Sequence, residues 1–201
     1  MKKSLVSIVT AVLLSSSLFG ACEYEQNGDI IVGFQAFKTP LKIGVGGEFN
    51  SVEYVNNNKT APNLSTLLKG AKVTINTASV DSGNAIRDKK LAELFFGKLT
   101  QNEIDAKILD LKLDKADGKS KALTGVVTIE IMMNGVIHPA ELKFTYEKDI
   151  FQADGSIDLA DYKALGALAS INKACYDLHR GKTWSDVGIS FNMIIKENCQ
   201  K

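Results

Sequence analysis

The stretch that decides the fold is VGISFNMII, residues 187–195, in which large apolar residues alternate with small or polar ones. Successive side chains of an extended strand point to opposite faces, so a period of two gives one apolar face and one wetted face. The apolar face holds Val187, Ile189, Phe191, Met193 and Ile195. The chain is therefore predicted to form a sheet with one buried side, which either fills a core or lines a cavity.

The same alternation recurs seven more times, at about residues 30–37, 42–52, 71–77, 103–112, 122–133, 138–146 and 150–159. Three tight-turn dipeptides join the later stretches: Asp117-Gly118, Asn134-Gly135 and Lys148-Asp149. Antiparallel strands with one polar face form a sandwich or a barrel, and a barrel removes the exposed edges. Gly44, Gly46 and Gly47 would let the second strand bend, as a closing sheet requires. The sequence therefore favours an all-β, eight-stranded antiparallel barrel, which side chains can fill or which can hold one small ligand.

Two or three short helices are predicted in the connections between strands. Residues 64–68 carry leucines at helical spacing. A second helix is predicted over about residues 85–96, with Asp81 or Ser82 as its N-cap. Its apolar face would hold Ile86, Leu91, Leu94 and Phe95. A third helix is predicted over residues 162–178.

The N-terminus has the layout of a secretory signal peptide over residues 1–21, since Lys2 and Lys3 precede an apolar run and a small-residue stretch. The apolar run is shorter than the ~20 residues that a membrane span needs. Cleavage would leave residues 22–201 as a single domain in the periplasm. Loss of the two lysines moves the formal net charge from +1 to −1, so no electrostatic attraction to nucleic acid is expected.

Three cysteines, Cys22, Cys175 and Cys199, remain in the exported chain, and an oxidising compartment permits one disulfide between them. If the first and last strands are antiparallel neighbours, Cys22 and Cys199 lie together, and this pair is favoured. Cys22 also follows the small residues as the acylated cysteine of a lipoprotein would. Acylation of Cys22 would leave Cys175 with Cys199 as the alternative pair.

Residues for catalysis or metal binding are scarce. Cys175 and His179 could share a helix face as two metal ligands, but no third ligand lies nearby, so no metal site is predicted. His138 follows a hairpin turn, where a solvent-exposed histidine is the simpler interpretation. No Gly-x-Ser-x-Gly nucleophile motif and no Gly-x-Gly-x-x-Gly cofactor motif occurs. No catalytic site, metal site or cofactor is therefore predicted.

Several motifs follow one another in a specific order. They are Gly46-Gly47-Glu48-Phe49, then Ser79-Val80-Asp81-Ser82-Gly83-Asn84 with Arg87-Asp88, Leu91 and Phe95-Phe96, then Asn134-Gly135-Val136 with Pro139 and Leu142. Together they resemble the signature of the YceI-like proteins, in which a strand ends in an Asp-Thr/Ser-Gly-Asn turn and an Arg-Asp helix follows. Lys90 stands where that family often has histidine. The similarity spans residues 23–197.

The resemblance implies a lipocalin-like barrel whose apolar interior binds a long-chain isoprenoid or a fatty-acid-like lipid. A long chain in water carries about 0.8 kcal/mol of unfavourable hydration per methylene, so an apolar barrel can hold it without specific hydrogen bonds. Inward-facing residues expected to contact this ligand are Val32, Phe34, Ile43, Val45, Phe49, Val73, Ile75, Ile129, Ile131, Leu142, Phe144, Phe151, Ile189, Phe191 and Met193. Two alternatives stay open: an enzyme acting on a lipid through His138 or His179, and an interaction module anchored to the membrane through Cys22.

Overall fold

The computed structural model describes residues 22–115 and 121–199, most of which lie in one curled antiparallel sheet. Its strands are β1 (Cys22–Lys38), β2 (Ile43–Phe49), β3 (Val52–Val55), β4 (Thr60–Ala61), β5 (Lys72–Asn76), β6 (Val80–Asp81), β7 (Glu103–Leu113), β8 (Leu123–Met133), β9 (Val136–Glu147), β10 (Ile150–Asp158) and β11 (Asp186–Cys199). The helices are α1 (Leu64–Leu68), α2 (Ala85–Leu94), α3 (Leu165–Ala174) and α4 (Tyr176–His179). The predicted signal peptide, residues 1–21, and the predicted Asp117-Gly118 turn lie outside the described residues.

Eight long strands surround the interior. Two of them are bent: β2 continues into β3, and β5 continues into β6, and this bent pair joins the two ends of the hydrogen-bonded ladder. The ladder runs β3-β5-β7-β8-β9-β10-β11-β1-β2-β6. The bend falls between β2 and β3 on one strand and between β5 and β6 on the other. Two backbone hydrogen bonds continue the pairing across it, from Asn50 N to Ser79 O and from Asn76 N to Ser51 O. The fold is the predicted all-β antiparallel barrel.

The described residues form eleven strands where the sequence predicts eight. Two of the eight long strands are broken at the bend, and the two-residue strand β4 adds a short pairing with β1. Strand β1 also begins at Cys22 rather than at Ile30. Its first half is too polar to show a period of two, and pairing with β11 keeps it extended. The register shifts between Asn27 and Ile31, where Gly28 has a φ of 80°.

The helices differ from the predictions in three ways. Asn84 caps α2 by accepting a hydrogen bond from the backbone N–H of Arg87, so the predicted caps Asp81 and Ser82 are wrong. Ile86 does not face a core, since it is 74% exposed. The helix predicted over 162–178 is two helices, α3 and α4, separated at Cys175, whose φ and ψ of −121° and 24° interrupt the helical geometry.

The seam between β1 and β11 carries the disulfide. Cys22 and Cys199 are paired in the β1–β11 register and their sulfurs are bonded, which confirms the favoured pair. Cys175 is free and buried, so the alternative pairing is wrong. A thiol consumed in a disulfide cannot carry a thioether-linked lipid at the same time. Across the two described ranges, no helix combines the length and apolar character needed to span a membrane.

Candidate functional site

The interior of the barrel contains a cavity of about 490 Å³. Strands β1, β2, β5, β7, β8 and β11 supply most of its walls, and α2, α3 and α4 contribute residues at one end. Its lining is predominantly apolar, and its volume falls within the range of small-molecule sites, roughly 300–1,000 Å³. Among the residues that the structure describes, the lining includes no aspartate and no glutamate.

The other end of the interior is filled by aromatic side chains. Phe191 lines the cavity and stacks on Phe151, with ring centroids 5.7 Å apart. Phe151 stacks on Phe144 in turn, at 5.0 Å. Phe151 is completely buried and Met193 is 3% exposed, and neither lines the cavity. Phe191 therefore forms the floor of the cavity, and Phe144, Phe151 and Met193 pack below it.

Eleven of the fifteen residues predicted to contact a ligand line this cavity. They are Val32, Phe34, Val45, Phe49, Val73, Ile75, Ile129, Ile131, Leu142, Ile189 and Phe191. Phe144, Phe151 and Met193 point inward as expected but lie below the floor, packed against one another and their neighbours. Ile43 is 49% exposed and does not line the cavity, because it is the first residue of β2, at the rim of the barrel. Contact of the eleven residues with a lipid stays a prediction.

Sequence reasoning missed the residues that the helices and connections bring to the mouth of the cavity. Ile86 and Leu178 line the cavity yet are 74% and 68% exposed, so the cavity opens to solvent between α2 and α4. The polar and charged residues that line this end are Lys38, Asn84, Arg87, Lys90, His179, Thr183 and Trp184. They come from three separate parts of the chain. The sequence singled out Asn84, Arg87, Lys90 and His179 separately, but nothing in it indicated that these residues meet at one end of the cavity.

The corner before α2 fixes the Arg87 side chain. Its Nε and one of its terminal nitrogens donate to Oγ and to the backbone O of Ser82, at 2.7 and 2.6 Å. Asp88 accepts from the backbone N–H of Ser82 at 2.9 Å and from its hydroxyl. Arg87 therefore does not pair directly with Asp88, because Ser82 stands between them. The network fixes the corner and holds the guanidinium at the edge of the cavity.

His179 is held by a short chain of hydrogen bonds at the mouth. Its Nδ1 lies 2.7 Å from Oγ1 of Thr183, and that hydroxyl donates to Oδ1 of Asn172 at 2.7 Å. Because the hydroxyl proton goes to Asn172, Nδ1 donates to Thr183 and Nε2 is the nitrogen that titrates. Burial, followed by the charges of Lys38 and Lys90, lowers the pKa of His179.

The other histidine lies away from the cavity. His138 is exposed on β9, and its Nδ1 lies 3.0 Å from the backbone O of Pro139. It does not line the cavity, so of the two histidines considered as acid or base only His179 faces the interior. His179 has a hydroxyl rather than a carboxylate as its partner.

One cluster of three metal-ligating side chains occurs within residues 22–115 and 121–199. It consists of Cys22, Glu197 and Cys199, and both of its sulfurs are consumed by the disulfide. Cys175 and His179 gain no third ligand in the described part of the chain. The described residues therefore offer no intact set of ligands of the kind that structural zinc needs.

Comparison with known proteins places the chain in a family. The sequence model of the YceI-like domain matches residues 31–194. No curated protein matches the chain. A polyisoprenoid-binding domain from Saccharophagus degradans is 13% identical, with a TM-score of 0.59 and coverage of 89% of this chain and 99% of that one. BcnA of Burkholderia cenocepacia is 14% identical, with a TM-score of 0.55 and coverage of 83% and 96%. At these identities, the two likenesses establish a shared fold.

Proposed function

This chain belongs to the YceI-like family, and from that premise and its cavity we propose that it binds one long-chain isoprenoid or fatty-acid-like lipid. In this proposal it sequesters or carries the lipid in the periplasm. The observation that carries the proposal is the apolar cavity, which opens at one end and has a packed aromatic floor at the other. One structural relative is itself a polyisoprenoid-binding domain, which supports an isoprenoid as the ligand class.

The apolar lining favours a long ligand over a short one. Each buried methylene contributes about 0.8 kcal/mol, so ten contribute about 8 kcal/mol. Association itself costs an estimated 4–15 kcal/mol. A short chain would barely offset this cost, whereas a chain that fills the cavity would bind with useful affinity. We therefore expect affinity to rise with chain length until the ligand reaches the aromatic floor at Phe191.

Binding without catalysis is the simpler function for this site. His179 is the one histidine at the cavity, and it is paired with Thr183. No carboxylate of the described residues lines the cavity to act as its partner in acid–base catalysis. Lipid binding requires only an apolar cavity and an opening through which the lipid enters, and this site has both.

The Cys22–Cys199 disulfide supports a periplasmic location. Structural disulfides persist in oxidising compartments such as the periplasm. The predicted signal peptide over residues 1–21 would deliver the chain there. In that compartment a soluble carrier would shield a long apolar chain from water between membranes.

The test is an inventory of what the protein carries. The full chain is expressed with its own N-terminus, purified without detergent, and extracted with organic solvent for mass spectrometry. We expect about one long-chain lipid per protein molecule. A protein that yields no such lipid, and that after extraction takes up neither hexadecanol nor geranylgeraniol, would contradict the proposal.

A further inference from the structure

Two lysines at the mouth of the cavity have no anionic partner among the described residues. Lys38, the last residue of β1, and Lys90, in α2, are both half-buried and both line the cavity. Neither forms an ion pair within the described ranges. The polar contact of the Lys90 ammonium is with the thiol of Cys175, 3.9 Å away.

A half-buried ammonium group normally needs an anionic partner more than an exposed one does, but here the exposed lysines have the partners. The lysines that do pair with carboxylates within residues 22–115 and 121–199 are Lys42, Lys69, Lys89 and Lys148, whose side chains are 44% to 86% exposed. An exposed ammonium is well hydrated and gains little from a partner, whereas a half-buried one has lost part of its hydration. Lys38 and Lys90 are the two half-buried lysines of the described residues, and neither has an anionic partner.

The composition of the cavity wall strengthens the contrast. The chain has 24 basic and 23 acidic residues, so a random wall would carry both signs. At the mouth, the described lining residues instead include three basic side chains and no acidic one. Those basic side chains are Lys38, Arg87 and Lys90; Lys107 also borders the cavity, but it is exposed and lies between the inward-facing Ala106 and Ile108. Such a wall has a positive potential that favours an anion over a neutral polar group.

We propose that the mouth of the cavity is a binding site for an anionic lipid head group, a carboxylate or a phosphate, held by the ammonium groups of Lys38 and Lys90. This inference rests on the proposed function and narrows its ligand to an acidic amphiphile. The acyl or isoprenoid chain lies along the apolar walls toward Phe191, and the charged oxygens stay at the mouth. His179 offers a third polar contact there through Nε2.

The two ammonium groups act on a common region. Both Lys38 and Lys90 contribute to lowering the pKa of His179, after the effect of burial, so each lies close enough to affect the same imidazole. The guanidinium of Arg87 is fixed by Ser82 and adds positive charge at the same end of the cavity. An anion bound in that region would interact favourably with both cations.

The experiment compares ligands with the same chain and different head groups. Hexadecanol, hexadecanoate and hexadecyl phosphate are titrated into the full-length exported protein, stripped of lipid, at neutral pH. One variant carries two substitutions, Lys38→Met and Lys90→Met. The matched control carries the single substitution Lys89→Met. Methionine keeps most of the apolar stem and removes the charge. Lys89 lies in the same helix as Lys90 but pairs with Glu93 and does not line the cavity. Circular dichroism establishes that each variant is folded.

The wild-type protein and Lys89→Met are expected to bind at least one of the two anions about tenfold or more tightly than hexadecanol, the order expected from charge-assisted hydrogen bonds. In the double variant this preference should fall below about threefold, because the affinity for the anions falls much more than the affinity for hexadecanol. A stronger preference for the phosphate would favour a lipid phosphate as the ligand, and one for the carboxylate would favour a lipid carboxylate such as a fatty acid.

Three outcomes overturn the inference. If hexadecanol and both anions bind equally, the protein binds lipids as proposed but the mouth does not select an anion. If the double variant loses affinity for alcohol and anions by the same factor, the lysines support the fold of the mouth rather than a head group. If none of the three ligands binds, the proposed function fails and the inference fails with it.

Discussion

The ring of Phe191 stacks on that of Phe151 at 5.7 Å, and only Phe191 lines the cavity. This contact divides the apolar side of the sheet into a lined cavity and a filled core. The two residues lie on adjacent strands, β11 and β10, and the alternation of the sequence treats them alike. Their different depths along the barrel separate residues available to a ligand from residues that stabilise the fold.

Replacement of Phe151 by alanine should therefore destabilise the protein strongly. Phe151 is completely buried, so the truncation is expected to lower the free energy of unfolding by about 3–5 kcal/mol. Its neighbour Ile150 is 55% exposed on the same strand, and Ile150→Ala should change that free energy by less than about 0.5 kcal/mol. Denaturant unfolding measures both. If the two variants lowered the free energy of unfolding equally, Phe151 would not lie in the filled core below the cavity floor.

Filling the cavity should block the ligand without unfolding the barrel. Val32 lines the cavity, whereas Ile31, next to it, points to the other face of β1 and is 47% exposed. Val32→Trp is expected to reduce the affinity for long-chain lipids at least tenfold, because the indole would occupy space that the chain needs. Ile31→Trp should bind normally. Lipid titration and denaturant unfolding of both variants test this, and unchanged binding by a folded Val32→Trp protein would be the contrary result.

The alternation of apolar residues predicted the faces of the strands but not the position of each residue along the barrel. Period two places Ile43 and Val45 on the same side of β2, yet Ile43 lies at the rim and Val45 lines the cavity. Likewise Phe144 and Leu142 share a face of β9, but Leu142 lines the cavity and Phe144 lies below its floor. Depth depends on strand register and tilt, which a single-strand pattern does not contain.

The mouth could not be predicted because its residues are far apart in sequence. Lys38 ends β1, Lys90 lies in α2 and His179 ends α4. Only the tertiary fold brings them together, and one of two adjacent lysines in a helix, Lys89 and Lys90, has no distinctive sequence signature. The disulfide was predictable because Cys22 and Cys199 lie at the free ends of two strands that are antiparallel neighbours.

The Cys22–Cys199 disulfide should contribute strongly to stability. It closes a loop with a sequence separation of 177 residues, and the chain-entropy account gives about 5 kcal/mol for a loop of that order. Reduction, or the double variant Cys22→Ser with Cys199→Ser, is expected to lower the denaturant midpoint accordingly. Reductant should have no further effect on the double variant. Mass spectrometry of the oxidised protein should find the two cysteine peptides linked, with no acyl group on Cys22.

Two tyrosines beside this seam should make the fold sensitive to alkali. Burial, followed by the nearby Glu197 carboxylate, raises the pKa of Tyr24 from 10.0 to about 12. Burial, followed by the charges of Asp149 and Glu197, also raises that of Tyr146 to about 12. Between about pH 10 and 12 the unfolded chain loses phenolic protons that the native state retains, so stability should fall as pH rises. The free energy of unfolding, measured by denaturant titration at several pH values in that range, tests whether stability falls as predicted.

Tyr24→Phe should reduce that dependence, because the phenol that donates to Glu197 at 2.8 Å is removed. Tyr176→Phe serves as the control, since Tyr176 is 61% exposed and lies away from the seam on α4. An alkaline loss of stability that is the same in wild type and Tyr24→Phe would assign the effect to other groups.

The two histidines of the chain allow a direct test of charge at the mouth. Burial, followed by the charges of Lys38 and Lys90, lowers the pKa of His179, and Thr183 holds its Nδ1, so Nε2 takes up the proton. A bound anion would offset the two positive charges and raise that pKa, and by linkage a protonated His179 would bind the anion more tightly. Affinity for hexadecyl sulfate, whose head group keeps one negative charge, should therefore increase several-fold as pH falls through the pKa of His179.

The variant His179→Gln should abolish this increase, while His138→Gln should retain it, because His138 is exposed and does not line the cavity. Nuclear magnetic resonance titration of the imidazoles gives an independent reading: hexadecyl sulfate should raise the pKa of His179, and hexadecanol should not. If the pH dependence disappeared in His138→Gln and persisted in His179→Gln, the anion would not lie between Lys38, Lys90 and His179. An unchanged His179 pKa in the presence of bound hexadecyl sulfate would lead to the same conclusion, because a negative charge within a few ångströms of an imidazole in a partly buried site cannot leave its proton affinity unaffected.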